Sequence, residues 1–101
     1  MRTYLLFEIA NSHGGSKDYI YKLIDALPQE KNTGIKFQVF KYNEIALKDY
    51  AYYKVYVKFF IDKQNWKKIF THAKSKGLNV WIDVFDLYSV EILKDNLNLV
   101  T

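Results

Sequence analysis

The chain has no cysteine among its 101 residues. Disulfide frameworks and thiolate zinc centres are therefore excluded. No stretch approaches the roughly 20 consecutive apolar residues that cross a bilayer as a helix. The apolar run from Tyr4 to Phe7 is broken by Glu8, too early for a secretory signal. There is one proline, Pro28, and there are four glycines. Low-complexity tracts, linkers and internal repeats beyond a strand–helix alternation are lacking. So are a phosphate-cradling Walker loop, a dinucleotide fingerprint and a nucleophile–base pair.

What is present is a dense apolar complement. Half of the residues are hydrophobic and 18% aromatic, so the chain folds around a core. Its length suits one domain. A net charge of +4 fits an anionic ligand and equally a lysine-rich solvated surface. An intracellular, cytoplasmic location is expected, with neither membrane nor nucleic acid as partner.

The stretch Gly34-Ile35-Lys36-Phe37-Gln38-Val39-Phe40 alternates with period two and reads as a strand. Ile35, Phe37 and Val39 share one face, and Lys36, Gln38 and Phe40 the other. A lysine and a glutamine in mid-strand need partners or an opening onto a site. A first strand is expected over 4–10, with Leu5, Phe7 and Ile9 opposite Tyr4, Leu6, Glu8 and Ala10. The polar turn Asn11-Ser12-His13-Gly14-Gly15 follows. Ser16 then caps a helix whose stripe is Ile20, Leu23, Ile24 and Leu27, ended by Pro28. A strand–helix–strand of this length makes a right-handed parallel unit.

One helical turn fits 43–48. The aromatic stretch 50–61 alternates Val55, Val57 and Phe59 against Lys54, Tyr56 and Lys58. It reads as an amphipathic edge strand or packed excursion, or as a long loop over a ligand site. Asp62 or Asn65 caps the next helix, with Trp66, Ile69, Phe70 and Ala73 inward and Gly77 at its end. His72 lies beside that stripe and reads as a partly exposed surface histidine. A third strand over 78–85 carries Asn79, Trp81, Asp83 and Phe85 on one face. Asp86 caps a last helix with Val90 and Leu93 inward. The tail at 96–101 turns apolar as if another strand began.

One parity of these strands collects Glu8, Lys36, Gln38 and Asp83. Fully covered parallel strands read as apolar runs, so polar groups toward strand C-terminal ends mark where such folds place chemistry. A mutually satisfied ion pair of Lys36 with Glu8 or Asp83 is the structural alternative. His13, in its glycine-rich turn, reads as an acid–base group, a ligand contact or a turn residue.

At this point the residues resemble a known family. Phe7-Glu8-Ile9-Ala10-Asn11-Ser12-His13-Gly14-Gly15-Ser16 is similar to the opening motif of the N-acetylneuraminate (sialic acid) synthases, and Ile35-Lys36-Phe37-Gln38 to their second-strand motif. Trp66, Ala73-Lys74, Gly77, Phe85-Asp86 and Ser89-Val90 resemble their third unit. The succession runs from about Tyr4 to Leu93. Ser12 stands where the family has asparagine, and Ile82-Asp83-Val84 where it has Ser-Thr-Pro.

The resemblance implies an α/β fold, the first three βα units of a TIM-type (β/α)8 barrel. It implies condensation of phosphoenolpyruvate with an N-acyl amino sugar. Lys36 would bind phosphoenolpyruvate, Gln38 and Glu8 would face the sugar, and His13 and Gly15 would shape the first loop. Asp83 would sit where a hydroxyl helps hold phosphate. A divalent metal, manganese or magnesium, would assist, with its ligands outside this chain. A homodimer is a further expectation.

A complete barrel needs roughly 250 residues, so residues 1–101 correspond to the N-terminal portion and would not catalyse alone. The rival expectation is a small α/β binding module using 50–60 as its contact surface. A weaker one is single-stranded nucleic-acid binding through Tyr52, Tyr53, Tyr56 and Phe59 with Lys54 and Lys58.

Overall fold

The computed structural model describes residues 3–101. Three strands, β1 (Leu5–Ala10), β2 (Thr33–Val39) and β3 (Asn79–Val84), form one parallel sheet in the order β1-β2-β3. Helix α1 (Lys17–Ala26) connects β1 to β2. Helices α2 (Tyr42–Ile45), α3 (Tyr53–Phe59) and α4 (Lys63–Ser75) lie between β2 and β3, and α5 (Leu87–Asp95) follows β3.

The core explains the layering. Ile35, Phe37 and Val39 of β2 are fully buried, together with Ile20 and Ile24 of α1, Ile69, Phe70 and Ala73 of α4, and Val80 of β3. They form one cluster with Ile9, Trp66, Tyr88 and Ile92. A single parity of the sheet thus meets the helices, and the other is left open. Sequential strand order with helices on one side is the geometry of a barrel wall; a doubly wound sheet would place helices on both faces. Among the described residues no helix is long and apolar enough to cross a membrane.

Local chemistry sets the helix ends. Ser16 accepts from the Tyr19 N–H at 3.2 Å and Asp62 from the Asn65 N–H at 2.9 Å. Asp86 and Ser89 form a reciprocal capping box at α5. Gly77, at φ 80°, closes α4 in a conformation that suits glycine.

Three sequence expectations are corrected. The stretch 50–61 is no edge strand: most of it is α3. Tyr53, Tyr56, Phe59 and Phe60 are its partly buried residues, and their spacing is helical, whereas Val55 and Val57 are exposed. In α5 the buried residues are Tyr88, Ser89 and Ile92 rather than Val90 and Leu93. The Tyr88 hydroxyl donates to the Ile61 carbonyl at 2.7 Å and turns the helix that way. The tail curls back on Asn96, whose carbonyl accepts from Leu99 and Val100. Only Thr101 reaches the outer edge of β3: its N–H donates to the Val80 carbonyl and its hydroxyl accepts from the Val80 N–H.

Candidate functional site

The open face of the sheet is stratified along the strands. Near the strand N-terminal ends, Tyr4, just before β1, and Trp81 of β3 reach toward each other across the sheet. The Trp81 indole N–H donates to the Tyr4 hydroxyl at 2.9 Å, and the rings meet edge-on at 6.2 Å. They close over Gly34. A Cβ there would lie 2.5 Å from the Tyr4 hydroxyl and 3.0 Å from Trp81 Nε1, so the bridge needs a residue without a side chain.

One layer further along stands Lys36. Its register partners are Glu8 on β1 and Trp81 on β3. The ammonium donates to the Glu8 carboxylate and lies 3.5 Å from Asp83 Oδ1. The Glu8 hydrogen bond holds Lys36 above the ordinary lysine range, against the opposing effect of desolvation, and Asp83 adds to it. Gln38 follows, in register with Asp83. The sheet therefore brings Glu8, Lys36, Gln38 and Asp83 together on one face, as their parity implies. Lys36 pairs with both carboxylates, so the ion-pair alternative and the converging cluster are the same arrangement.

Beyond Gln38 the face opens into a cavity of about 340 Å³. Its lining includes Asn11, Phe40 and Phe85, each the residue immediately after its strand, together with Gln38. Ile45 of α2 and Tyr56 of α3 cover it. The excursion between β2 and α4 is thus a pair of short helices set over the strand C-terminal ends. Edge-on aromatic contacts fix it there: Phe40 with Tyr56 at 5.8 Å and Tyr42 with Phe60 at 5.3 Å. Much of the aromatic density at 50–60 is used in this packing.

The first loop is locked to the same excursion. A Cβ on Gly15 would stand 2.0 Å from the Lys58 carbonyl oxygen. A β-bulge at Glu8/Ala10 and a positive φ of 46° at Ala10 turn the chain into that loop. His13 is buried, with its ring edge-on to Phe59 at 6.4 Å. Nδ1 accepts from the Gly15 N–H at 2.8 Å, which places the proton of neutral imidazole on Nε2. Nε2 and the Asn11 Oδ1 are buried without a partner. Burial lowers the His13 pKa below its usual 6.5. His13 is thus a buried, neutral turn residue that fixes the loop.

Sequence reasoning offered Tyr56 within a loop over a ligand site and Phe85 on the face of Asp83, but it did not single out Ile45, Phe40 as a cavity wall, or the Tyr4–Trp81 bridge. Strand parity carries a signal for Phe85 and Trp81, which share the face of Asp83. A wider groove of about 910 Å³ lies on the outer surface between α1 and α4, lined by Tyr21, Lys67, Thr71 and His72 among others. No strand residue contributes to it. His72 there contacts Asp25 at 2.7 Å, in keeping with a surface histidine.

No protein-family model matches the chain, and no curated protein does. Solved structures do. One is spore coat polysaccharide biosynthesis protein E from Chromobacterium violaceum ATCC 12472, at a TM-score of 0.77 and 23% identity over 93% of this chain and 31% of that one. Another is the N-acetylneuraminic acid (sialic acid) synthetase from Leptospira borgpetersenii serovar Hardjo-bovis, crystallised with citrate. It matches at a TM-score of 0.80 and 18% identity, over 94% of this chain and 33% of that one. The chain spans about a third of the length of either. The likeness fixes the fold: three parallel strands alternating with helices, as in part of a sialic acid synthase barrel.

Proposed function

We propose that this chain supplies one wall of a sugar-acid synthase site, in which phosphoenolpyruvate condenses with an N-acyl amino sugar. The observation that supports it most is the cavity bounded by the residues following all three strands, with Gln38 in its wall and Lys36 one layer below. The C-terminal ends of parallel strands are where barrels assemble their chemistry. The fold likeness to a sialic acid synthetase agrees with it.

In this reading Lys36 receives the anionic end of phosphoenolpyruvate and stabilises negative charge that develops there. Gln38 and Glu8 face the sugar. His13 and Gly15 hold the first loop against α3, and Tyr56 screens the cavity from water. A divalent metal would supply polarisation of the sugar carbonyl. Among the described residues no three histidines, cysteines or acids lie together as a metal site, and Glu8 and Asp83 both engage Lys36. The described residues form no metal site of their own, and no step is assigned through a metal.

The test is amine acylation of Lys36, read by mass spectrometry with and without phosphoenolpyruvate. Selective protection of Lys36 relative to the outer lysines, Lys67 and Lys68, is expected. Equal labelling at saturating ligand overturns the assignment. The second reading, a non-catalytic binding module, is favoured by Leu47 and Tyr52, which are 76% and 62% exposed on the α2–α3 excursion. It would leave Lys36 labelling unchanged and protect Lys54 and Lys58 when a partner binds.

A further inference from the structure

We propose that Asp83 is a built-in competitor for the Lys36 ammonium and sets how strongly this wall takes phosphate-bearing anions. This rests on the reading of Lys36 as the anion receptor, and it names the residue that opposes it. Lys36 is one cation set between two carboxylates. An arriving anion meets an ammonium whose charge is already compensated, and it meets a second negative charge beside it. Like charges within about 4–6 Å disfavour one another.

The two carboxylates are not equivalent. Both carboxylates sit on edge strands, but Glu8 lies just before a bulge and its side chain is 61% exposed. It has one more rotatable bond than aspartate and can turn into water when a ligand arrives. Asp83 is held in β3 opposite Gln38, and its side chain is 33% exposed. Lys36 is its one ion-pair partner among the described residues. Its short side chain is carried by a strand that is hydrogen-bonded to β2 throughout their overlap. Glu8 is therefore the displaceable counter-ion and Asp83 the fixed one. The fixed one remains beside any anion that binds.

The experiment titrates the full chain with phosphoenolpyruvate and with inorganic phosphate. Calorimetry is the main readout, with fluorescence as a second. Trp81 lies on the open face and Trp66 is buried, so ligand-dependent emission changes report Trp81. Asp83→Asn is expected to tighten phosphoenolpyruvate binding about tenfold or more. Glu8→Gln should give a smaller gain. Adding Lys36→Met to Asp83→Asn should return binding to the weak starting level. If Asp83→Asn binds no tighter than the parent while both depend on Lys36, the competitor role is overturned and the receptor reading stands. If neither protein binds phosphoenolpyruvate, or if Lys36→Met changes nothing, the receptor reading itself falls. Asp83→Thr, neutral and suited to a strand, repeats the test should the asparagine variant lose its fold.

Discussion

The two faces of β2 are one residue apart along the chain and differ in every physical respect. Ile35, Phe37 and Val39 are fully buried under α1, α4 and α5. Gly34, Lys36 and Gln38 look the other way, onto a bridge, an ion cluster and a cavity. The first set makes the fold stable, because burial of large apolar side chains is its main driving force. The second set contributes little apolar burial, and it places charge and hydrogen-bonding groups where the strands end. Alternation by two lets a single strand carry a buried apolar face and an open polar one with little interference between them.

Substitutions along β2 should therefore separate the two roles. Phe37, between Trp66 at 5.6 Å and Phe70 at 5.7 Å, should give the largest loss. Phe37→Ala is expected to cost about 3–5 kcal/mol in urea unfolding, whereas Gln38→Ala, one residue on, should cost under about 0.5 kcal/mol. Equal losses at the two positions would erase the distinction.

Next in size is Gly15→Ala, which forces a Cβ into the Lys58 carbonyl at a φ of 86°. A loss of about 2–3 kcal/mol is expected, together with release of α3 from the cavity, seen as faster amide exchange at Tyr56. Asp86→Ala removes the α5 cap and the acceptor of the Lys41 N–H, which ties the exit of β2 to α5. It should cost about 1–2 kcal/mol by the same assay. Gly34→Ala should cost about 1 kcal/mol, because the obstructing atoms are the ends of partly exposed side chains that can move. Its marker is a shift of the Trp81 indole proton as the bond to Tyr4 opens.

The smallest effect is a pH dependence at the loop end. His13 is held neutral in the fold, so the unfolded chain takes up its proton first as pH falls below 6.5. The contribution of His13 is complete above that pH and declines as pH falls toward the depressed folded value. His13→Gln should flatten the decline in urea midpoints between pH 7.5 and 5.5. An unchanged slope would assign the acid sensitivity elsewhere.

Much of this division is legible in the sequence because period two is a strong signal. It places Lys36 and Gln38 opposite Ile35, Phe37 and Val39, and it puts Glu8 and Asp83 on the same side as the lysine. Caps are equally local: Ser16, Asp62 and Asp86 act where their neighbours imply. What was not legible depends on contacts between distant residues. Lysines alternating with valines in 50–61 imitate a strand, and only docking of Tyr53, Tyr56 and Phe60 against Tyr42 and Phe40 makes the helix the better solution. The rotation of α5 follows from a hydrogen bond between Tyr88 and Ile61, which local spacing does not encode. The Tyr4–Trp81 bridge joins residues 77 positions apart.

The most direct test of the two-faced sheet is backbone and side-chain NMR shift mapping during titration with phosphoenolpyruvate and N-acetylmannosamine. Perturbations are expected at Glu8, Lys36, Gln38 and Asp83 and in the loop from Asn11 to Gly15, with Ile35, Phe37 and Val39 side-chain signals nearly still. Shifts gathered instead in the outer groove of Tyr21, Lys67 and His72, or none at saturating ligand, would contradict a ligand-facing wall.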